Sequence, residues 1–212
     1  DCSTVQLGET VDPKYLFQEY LWVTGTSSTA TIYSHQFAKN ALSKSDTRQP
    51  SVIEIASNDG TFLKCFIEAG CEVLGIDPAK NIAQEATKKG IPTIDKFFSA
   101  ELARQLEVDR GKTDIVFARN VLPHVKNIHS ILEGIEILMD EYSIGIIEFH
   151  EAGLILKDLH YDSIYHEHLF YFSPSSLQVA LNKSRFELLS WSKSMKTMQI
   201  GYIVEMLQLN TV

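Results

Sequence analysis

From residue 51 onward, short apolar runs alternate with amphipathic stretches, and this rhythm constrains the fold more than any other feature of the chain. "SVIEIA" (51–56), "CEVLGID" (71–77), "IPTI" (91–94), "DIVFARNV" (114–121) and "SIGIIEF" (143–149) read as strands. Between them lie "TFLKCFIEAG", "PAKNIAQEATKKG", "SAELARQLEV" and "IHSILEGIEILM", which read as helices, with Pro78 near a helix start and Gly90 at a C-cap. Runs that stay apolar, instead of alternating with polar residues, belong to strands covered on both faces. Strands separated by helices in this way therefore predict parallel βαβ units, with helices on both sides of one sheet. A further helix begins at "SPSSLQVAL", and "FELLSWS" and "IGYIVEMLQL" supply two last strands joined by a short segment. The expected fold is α/β with a seven-stranded, mostly parallel sheet.

Ahead of this unit, residues 1–50 read as a helical segment, and 51–212 as the sheet domain. "PKYLFQEYLWV" (13–23) opens with Pro at a plausible first helical position and places Leu16, Phe17, Tyr20 and Leu21 on one face. A polar hinge, "TGTSSTAT", precedes a second helix running to about Leu42, and "SKSDTRQP" is a loop by composition.

A formal charge of -8 leaves no basic stripe for a polyanion, so nucleic acid is not expected as a partner. Cys2, Cys65 and Cys71 form an odd, sparse set that reads as reduced thiols. No apolar run approaches ~20 residues, and the start lacks the pattern of a secretory leader. A cytoplasmic protein without a membrane span, acting on a small molecule and favouring a monomer, is the expectation.

In sheets of this kind ligands sit at the carboxyl ends of the strands, where the strand order reverses. The first βα turn, "EIASNDGTF" (54–62), carries small polar residues and Gly60 before its helix, as a backbone passing beneath a ligand requires. The second strand ends in Asp77, about 20 positions on, where a carboxylate accepts from ribose hydroxyls. The turn is not G-x-G-x-x-G, and Asp59 at a helix N-terminus repels a pyrophosphate while suiting a cationic sulfonium with a free amino group. This chemistry favours S-adenosylmethionine over NAD. The alternative is that Asn58, Asp59 and Gly60 form only a turn and that Asp77 is only a cap.

"EIASNDGTFL", "VLGIDPAKNIA", "GIPTIDKFFS", "ARNVLPHV" and "YDSIYHEHLFYFS" (161–173), in this order, resemble successive motifs of the sugar C-methyltransferase family. That family uses S-adenosylmethionine to methylate a carbon of a keto-deoxysugar carried on a nucleoside diphosphate. The resemblance runs from Val5 to about residue 190, and it implies the class I, Rossmann-like methyltransferase fold with its last strand antiparallel beside the fifth. It implies cofactor contacts from Glu54, Ala56, Asn58, Gly60, Asp77, Pro78, Phe98 and Asn120. Ala56 stands where the family usually has Gly, and Pro123 where it usually has Ala, beside His124. "DCSTVQL" is similar to the close of the family's zinc module, whose final ligand falls on Cys2. Cys65 and Cys71 cannot complete such a site, so no metal is expected. The resemblance also implies a zinc module before this chain and a nucleotide-binding lobe after it.

Methylating carbon requires a base that forms an enolate facing an already activated methyl group. In "YHEH" the resemblance implies His168 as that base, with Tyr165 and Glu167 orienting it or touching the sugar. Asp162, His166 and His168 match no helix-based zinc spacing. His166 reads as structural, His150 and His160 as surface or loop residues, His35 as a capping or packing residue, and Tyr161, Phe170, Tyr171 and Phe172 as core. Where the family carries a His-Gly-Gly-Ser-Leu-Arg-like segment, this chain has "SMKTMQIGYIVEM" (194–206), keeping only Gly201 and the strand pattern. The rival readings are a cofactor-binding domain without catalysis, a methyltransferase for another small carbon or oxygen acid, and, most distantly, a dinucleotide oxidoreductase.

Overall fold

A computed structural model describes residues 4–193 and 202–209. The elements in chain order are β1 (Val5–Gln6), α1 (Pro13–Phe17), α2 (Ser28–Leu42), β2 (Ser51–Ile55), α3 (Thr61–Glu68), β3 (Glu72–Ile76), α4 (Lys80–Lys88) and β4 (Thr93–Ile94). They continue with α5 (Ala100–Arg110), β5 (Ile115–Arg119), α6 (Ile128–Leu138), β6 (Ile144–His150), α7 (Ala152–Lys157), β7 (Phe170–Tyr171), α8 (Pro174–Leu181), β8 (Phe186–Lys193) and β9 (Tyr202–Leu209).

The main sheet has seven strands in the order β4-β3-β2-β5-β6-β9-β8. β4, β3, β2, β5 and β6 run parallel, and β9 enters antiparallel between β6 and β8. This is the class I methyltransferase sheet that the βαβ rhythm and the resemblance led us to expect. The order reverses between β2 and β5, so the crevice opens over their carboxyl ends.

Each face of the sheet buries its own core. On one side α5, α6 and α8 pack Leu102, Ala103, Ile131, Ile135, Leu177 and Leu181 onto Ile53, Val116 and Ile147. On the other, α2 and α3 pack Tyr33, Phe37, Ala41, Phe62, Leu63 and Phe66 onto Val52, Ile115, Phe117 and Ile146. α2 buries Ala30, Tyr33, Ser34, Phe37, Ala38 and Ala41, spaced at three and four residues, so one stripe of this helix completes the second core. Ser27 caps it by accepting from Ala30 N–H.

Three stretches depart from the sequence expectation. The first helix stops at Phe17 instead of reaching residue 23, and Leu21 is 96% exposed. Its continuation is captured by side chains from elsewhere. Asn81 accepts from Tyr20 N–H (3.3 Å) and donates to Tyr20 C=O (3.0 Å), while Asn58 donates to Trp22 C=O (2.9 Å) and accepts from Thr24 N–H (2.8 Å). A backbone satisfied in this way has no need of helical hydrogen bonds. α7 was unforeseen; the Glu151 carboxylate caps it by accepting from Gly153 and Leu154 N–H. So was the two-stranded ribbon that pairs Val5 with Tyr171 and Gln6 with Phe170, fastening the N-terminal segment to the loop beyond the histidine cluster.

Candidate active site

A cavity of about 1280 Å³ lies over the carboxyl ends of β2, β3 and β5. Its floor is the β2–α3 turn. Ala56 and Asn58 both adopt positive φ, +57° and +50°, and Gly60 follows at +76° as the N-cap of α3. A Cβ on Gly60 would sit 2.4 Å from Ile91 Cδ1, so glycine is required there by packing as well as by φ. Ala56 holds the same left-handed conformation with a Cβ, at a strain of roughly 1 kcal/mol. The turn folds this way because Asp77, at the end of β3, accepts from Asn58 N–H and from Ala79 N–H, each at 2.8 Å. Burial raises the Asp77 carboxyl above its usual range, and the two backbone donors pull against that rise.

Of the residues implied for the cofactor, Glu54, Ala56, Asn58, Asp77, Pro78, Phe98 and Asn120 all line this one cavity. Gly60 lies beneath, shaping the turn. Phe98 packs on Gly134, and Val121, Ile131 and Ser130 continue that wall. Glu54 is 2% exposed, and its Oε2 has no hydrogen-bond partner among the described residues; Asn120 Oδ1 also lacks one. Burial pushes the Glu54 carboxyl well above the usual carboxylate range, against the pull of the Arg119 guanidinium. Asp59, read from sequence as a cofactor-facing charge, is instead turned away from the cavity. It pairs with Lys89 Nζ at 3.0 Å and accepts from Thr61 Oγ1 at 2.6 Å. Burial would raise its carboxyl, but these donors outweigh burial and hold it below its ordinary range.

His124, Tyr165 and His168 form a second cluster at the cavity. His168 is 4% exposed, and its Nδ1 lies 2.8 Å from Ser163 C=O, so Nδ1 carries the proton and Nε2 is the basic nitrogen. Nε2 lies 3.1 Å from the Tyr165 hydroxyl, which donates to it. Tyr165 lines the cavity, and His168 stands behind it. Burial lowers the His168 pKa, keeping the ring neutral, and burial beside Glu167 raises Tyr165 to about 12. His124 also lines the cavity; its Nδ1 donates to Glu167 C=O at 2.9 Å, and its ring lies 4.7 Å from that of His168. Burial, followed by the neighbouring His168, lowers His124 to about 3. Glu167 is not among the cavity-lining residues; its carboxylate accepts from the hydroxyl of Tyr20, which is, at 3.4 Å.

Other expectations fare unevenly. Tyr171 and Phe172 are core, but Tyr161 is 57% exposed. His150, expected at the surface, is 4% exposed at the end of β6, because that strand is covered along its whole length. His166 and His35 are exposed. Among the described residues no group of His, Cys, Asp or Glu is arranged to hold a metal, and no helix is long and apolar enough to cross a membrane. Cys2 lies outside the described residues, as do residues 194–201 of the altered segment.

Sequence reading missed two contributors. One is the N-terminal strap, whose Pro13, Phe17, Tyr20, Trp22 and Thr24 form the cavity's outer wall. The other is a buried network on the α2 side, in which Arg119 donates to Glu148 at 2.8 Å, lies over the Phe62 ring at 3.4 Å, and shares Glu148 with the Tyr33 hydroxyl. The signal was present: Glu54, Arg119 and Glu148 are charged residues near the carboxyl ends of otherwise apolar parallel strands.

The profile of the methyltransferase-domain family matches residues 33–190. The chain belongs to the methyltransferase-domain family. It is 30% identical over 177 residues to the C-methyltransferase NovU of Streptomyces niveus, a match covering 83% of this chain and 42% of that protein. The chain thus spans less than half the length of this relative. Among solved structures, it is similar to the magnesium protoporphyrin IX methyltransferase of Synechocystis PCC 6803 with bound SAH (TM-score 0.67, 14% identity, 86% of this chain and 84% of that one). It is equally similar to the PH0226 protein of Pyrococcus horikoshii OT3 (TM-score 0.67, 15% identity, 94% and 97% covered). These two likenesses extend the methyltransferase fold to almost the whole chain.

Proposed function

We infer that the chain binds S-adenosylmethionine and transfers its methyl group, and propose that the acceptor is a carbon of a nucleoside-diphosphate-linked keto-deoxysugar. The residues present fit this cofactor. Asp77 lines the cavity and could accept from ribose hydroxyls, Phe98 and Ile131 offer apolar surface for an adenine ring, and Glu54 and Asn120 hold unpaired acceptors for a cationic ligand. At about 1280 Å³ the cavity exceeds the ~300–1,000 Å³ of an ordinary single-ligand pocket, which leaves room for a second molecule. When bound, S-adenosylmethionine supplies an activated methyl group.

The observation that carries carbon methylation is the Tyr165–His168 pair, whose tyrosine lines the same cavity as Phe98 and Asp77. Tyr165 presents its oxygen to the acceptor while its proton points at His168 Nε2. A substrate proton passing to Tyr165 as the phenolic proton passes to Nε2 makes His168 the net base and leaves no phenolate. The Ser163 carbonyl holds the resulting imidazolium at Nδ1. Glu167 is tied through its carboxylate to Tyr20 and through its carbonyl to His124, so it positions the strap and His124 around the acceptor. The C-methyltransferase relative supports carbon as the acceptor atom, and the family resemblance supports a sugar.

The test is incubation with S-adenosylmethionine labelled with carbon-13 at the methyl group, together with such a keto sugar, followed by NMR. A new carbon–carbon bond is expected. A labelled O-methyl product, or no transfer to any keto sugar while the cofactor still binds, would contradict the proposal.

A further inference from the structure

Four non-glycine residues among those described adopt positive φ, Ala56, Asn58, Asn120 and Leu159, and all four line the cavity. Backbone strain gathered at one place points to function. Ala56 and Asn58 belong to the β2–α3 turn and Asn120 follows β5, whereas Leu159 stands apart, just beyond α7, at φ +57°. Two other helices end in the same way. Cys71 N–H returns to Phe66 C=O after α3 and Ile91 N–H to Ala86 C=O after α4, each at 3.0 Å, as His160 N–H returns to Ile155 C=O after α7 at 2.9 Å. The residue with positive φ is Gly70 in the first and Gly90 in the second, as this helix ending prefers. In α7 it is a leucine, which strains the backbone through its Cβ and is 66% exposed. Leu156 is also exposed, but it lies within the helix and outside the cavity lining, as an ordinary surface leucine does. Leu159 combines strain, exposure and a place in the cavity wall.

We propose that Leu159 is a specificity-determining residue, whose side chain receives an apolar carbon of the acceptor. For a deoxysugar, that carbon is the terminal methyl group standing where another sugar has a hydroxymethyl. The assignment rests on the reading that the acceptor is a keto-deoxysugar. The chemistry of the wall supports it. His160, Asp162 and Tyr165 line the cavity from the same segment and suit the hydroxyl and carbonyl oxygens of a sugar, while Leu159 is the aliphatic side chain that this segment contributes. A methyl group packed on Leu159 covers apolar surface that the free chain leaves in water. A hydroxyl brought to the same place loses water and gains neither donor nor acceptor from the leucine. A mismatch of this kind in an apolar contact discriminates by about 10-fold or more.

Glycine fits this backbone without strain and asparagine enters the same region readily, so Leu159→Gly and Leu159→Asn keep the turn that carries His160 and Asp162. The experiment is a competition. Wild type and both variants receive S-adenosylmethionine and an equimolar mixture of two nucleoside-diphosphate-linked keto sugars, one with a terminal methyl group and one with a terminal hydroxymethyl. The product ratio gives the ratio of the two kcat/KM values. Wild type should favour the methyl-bearing sugar by about 10-fold or more, and Leu159→Gly by no more than about 2-fold. Leu159→Asn, whose amide can bond a hydroxyl, should bring the two to parity or reverse the order. The unfolding midpoint of Leu159→Gly should not fall, because relief of strain offsets the added freedom of its unfolded chain. Wild type without discrimination, or discrimination kept by both variants, would overturn the inference. A lower midpoint with discrimination kept would show Leu159 to be a packing residue only. Wild type that binds S-adenosylhomocysteine but methylates neither sugar would instead remove the acceptor reading, and this inference with it.

Discussion

The two ends of the cavity are built differently. The Asp77 end is held by short hydrogen bonds within one sheet edge: Asp77 grips the Asn58 and Ala79 amides at 2.8 Å, over separations of 19 and 2 residues. The histidine end is assembled from distant parts, His124 bonding Glu167 C=O at 2.9 Å across 43 residues and Tyr20 bonding the Glu167 carboxylate at 3.4 Å across 147. Its backbone is a loop, a short 3₁₀ turn and a two-residue ribbon, whereas the other end stands on strand ends covered by both cores. On the proposed function, the part that would grip the cofactor is thus preformed, and the part that would carry the reaction depends on the whole tertiary arrangement. Substitutions should separate the two.

The largest separation is expected from His168→Ala. Loss of a general base should lower turnover by about 10²- to 10⁴-fold, while affinity for S-adenosylhomocysteine stays within about 3-fold. Single-turnover methyl transfer beside a calorimetric titration measures both. Wild-type turnover in the variant would place the base elsewhere. The mirror experiment is Asp77→Asn, which keeps the shape but removes the charge that faces two amides and, on the proposed function, the ribose hydroxyls. Affinity should fall by about 10- to 100-fold, as for a weakened pair of charge-assisted bonds. If catalysis is then limited only by occupancy, saturating cofactor should restore most of the turnover.

How far each end could be read from the sequence follows the same division. The Asp77 end is local: a small turn after one strand and an acid closing the next are visible at fixed spacing, and their roles follow from chemistry. The turn at Asn58 and the acid Asp77 were found in this way, whereas Glu54 came only from the family resemblance. The histidine end was visible only as a cluster of residue types. That Tyr165, and not His168, lines the cavity depends on how residues 160–168 turn back on Ser163. The short first helix was misread because its apolar spacing suited a helix, whereas Asn58 and Asn81, far along the chain, satisfy its backbone in an extended form. Asp59 was misassigned because Lys89, its partner, lies thirty residues away.

Acid should break the comparison in one direction. His124, His150 and His168 take up protons near pH 6.5 in the unfolded chain. In the folded chain burial, then the neighbouring histidines, hold His124 at about 3 and His150 at about 4, and burial lowers His168. The unfolded state therefore binds more protons below pH 6.5. The stability these histidines contribute is full above about pH 7 and is lost as the pH falls towards 4. Glu54, raised by burial, acts in the opposite sense and favours the folded state in acid. Hydrogen exchange at pH 5 should therefore show the loop at 160–168 opening before β2 and β3. Uniform loss of protection would contradict the contrast.

The smallest effect sharpens the rigid end. Ala56→Gly removes a Cβ from a residue at φ +57° and should raise stability by up to about 1 kcal/mol, measured as a higher thermal midpoint. A lower midpoint would mean that the alanine methyl contributes packing that outweighs its strain.

The account depends most directly on the cavity being a cofactor site before any acceptor is present. Titration of the chain alone with S-adenosylhomocysteine tests this. One ligand per chain, with a dissociation constant in the micromolar range, is the expected result; no heat of binding up to millimolar ligand would contradict it.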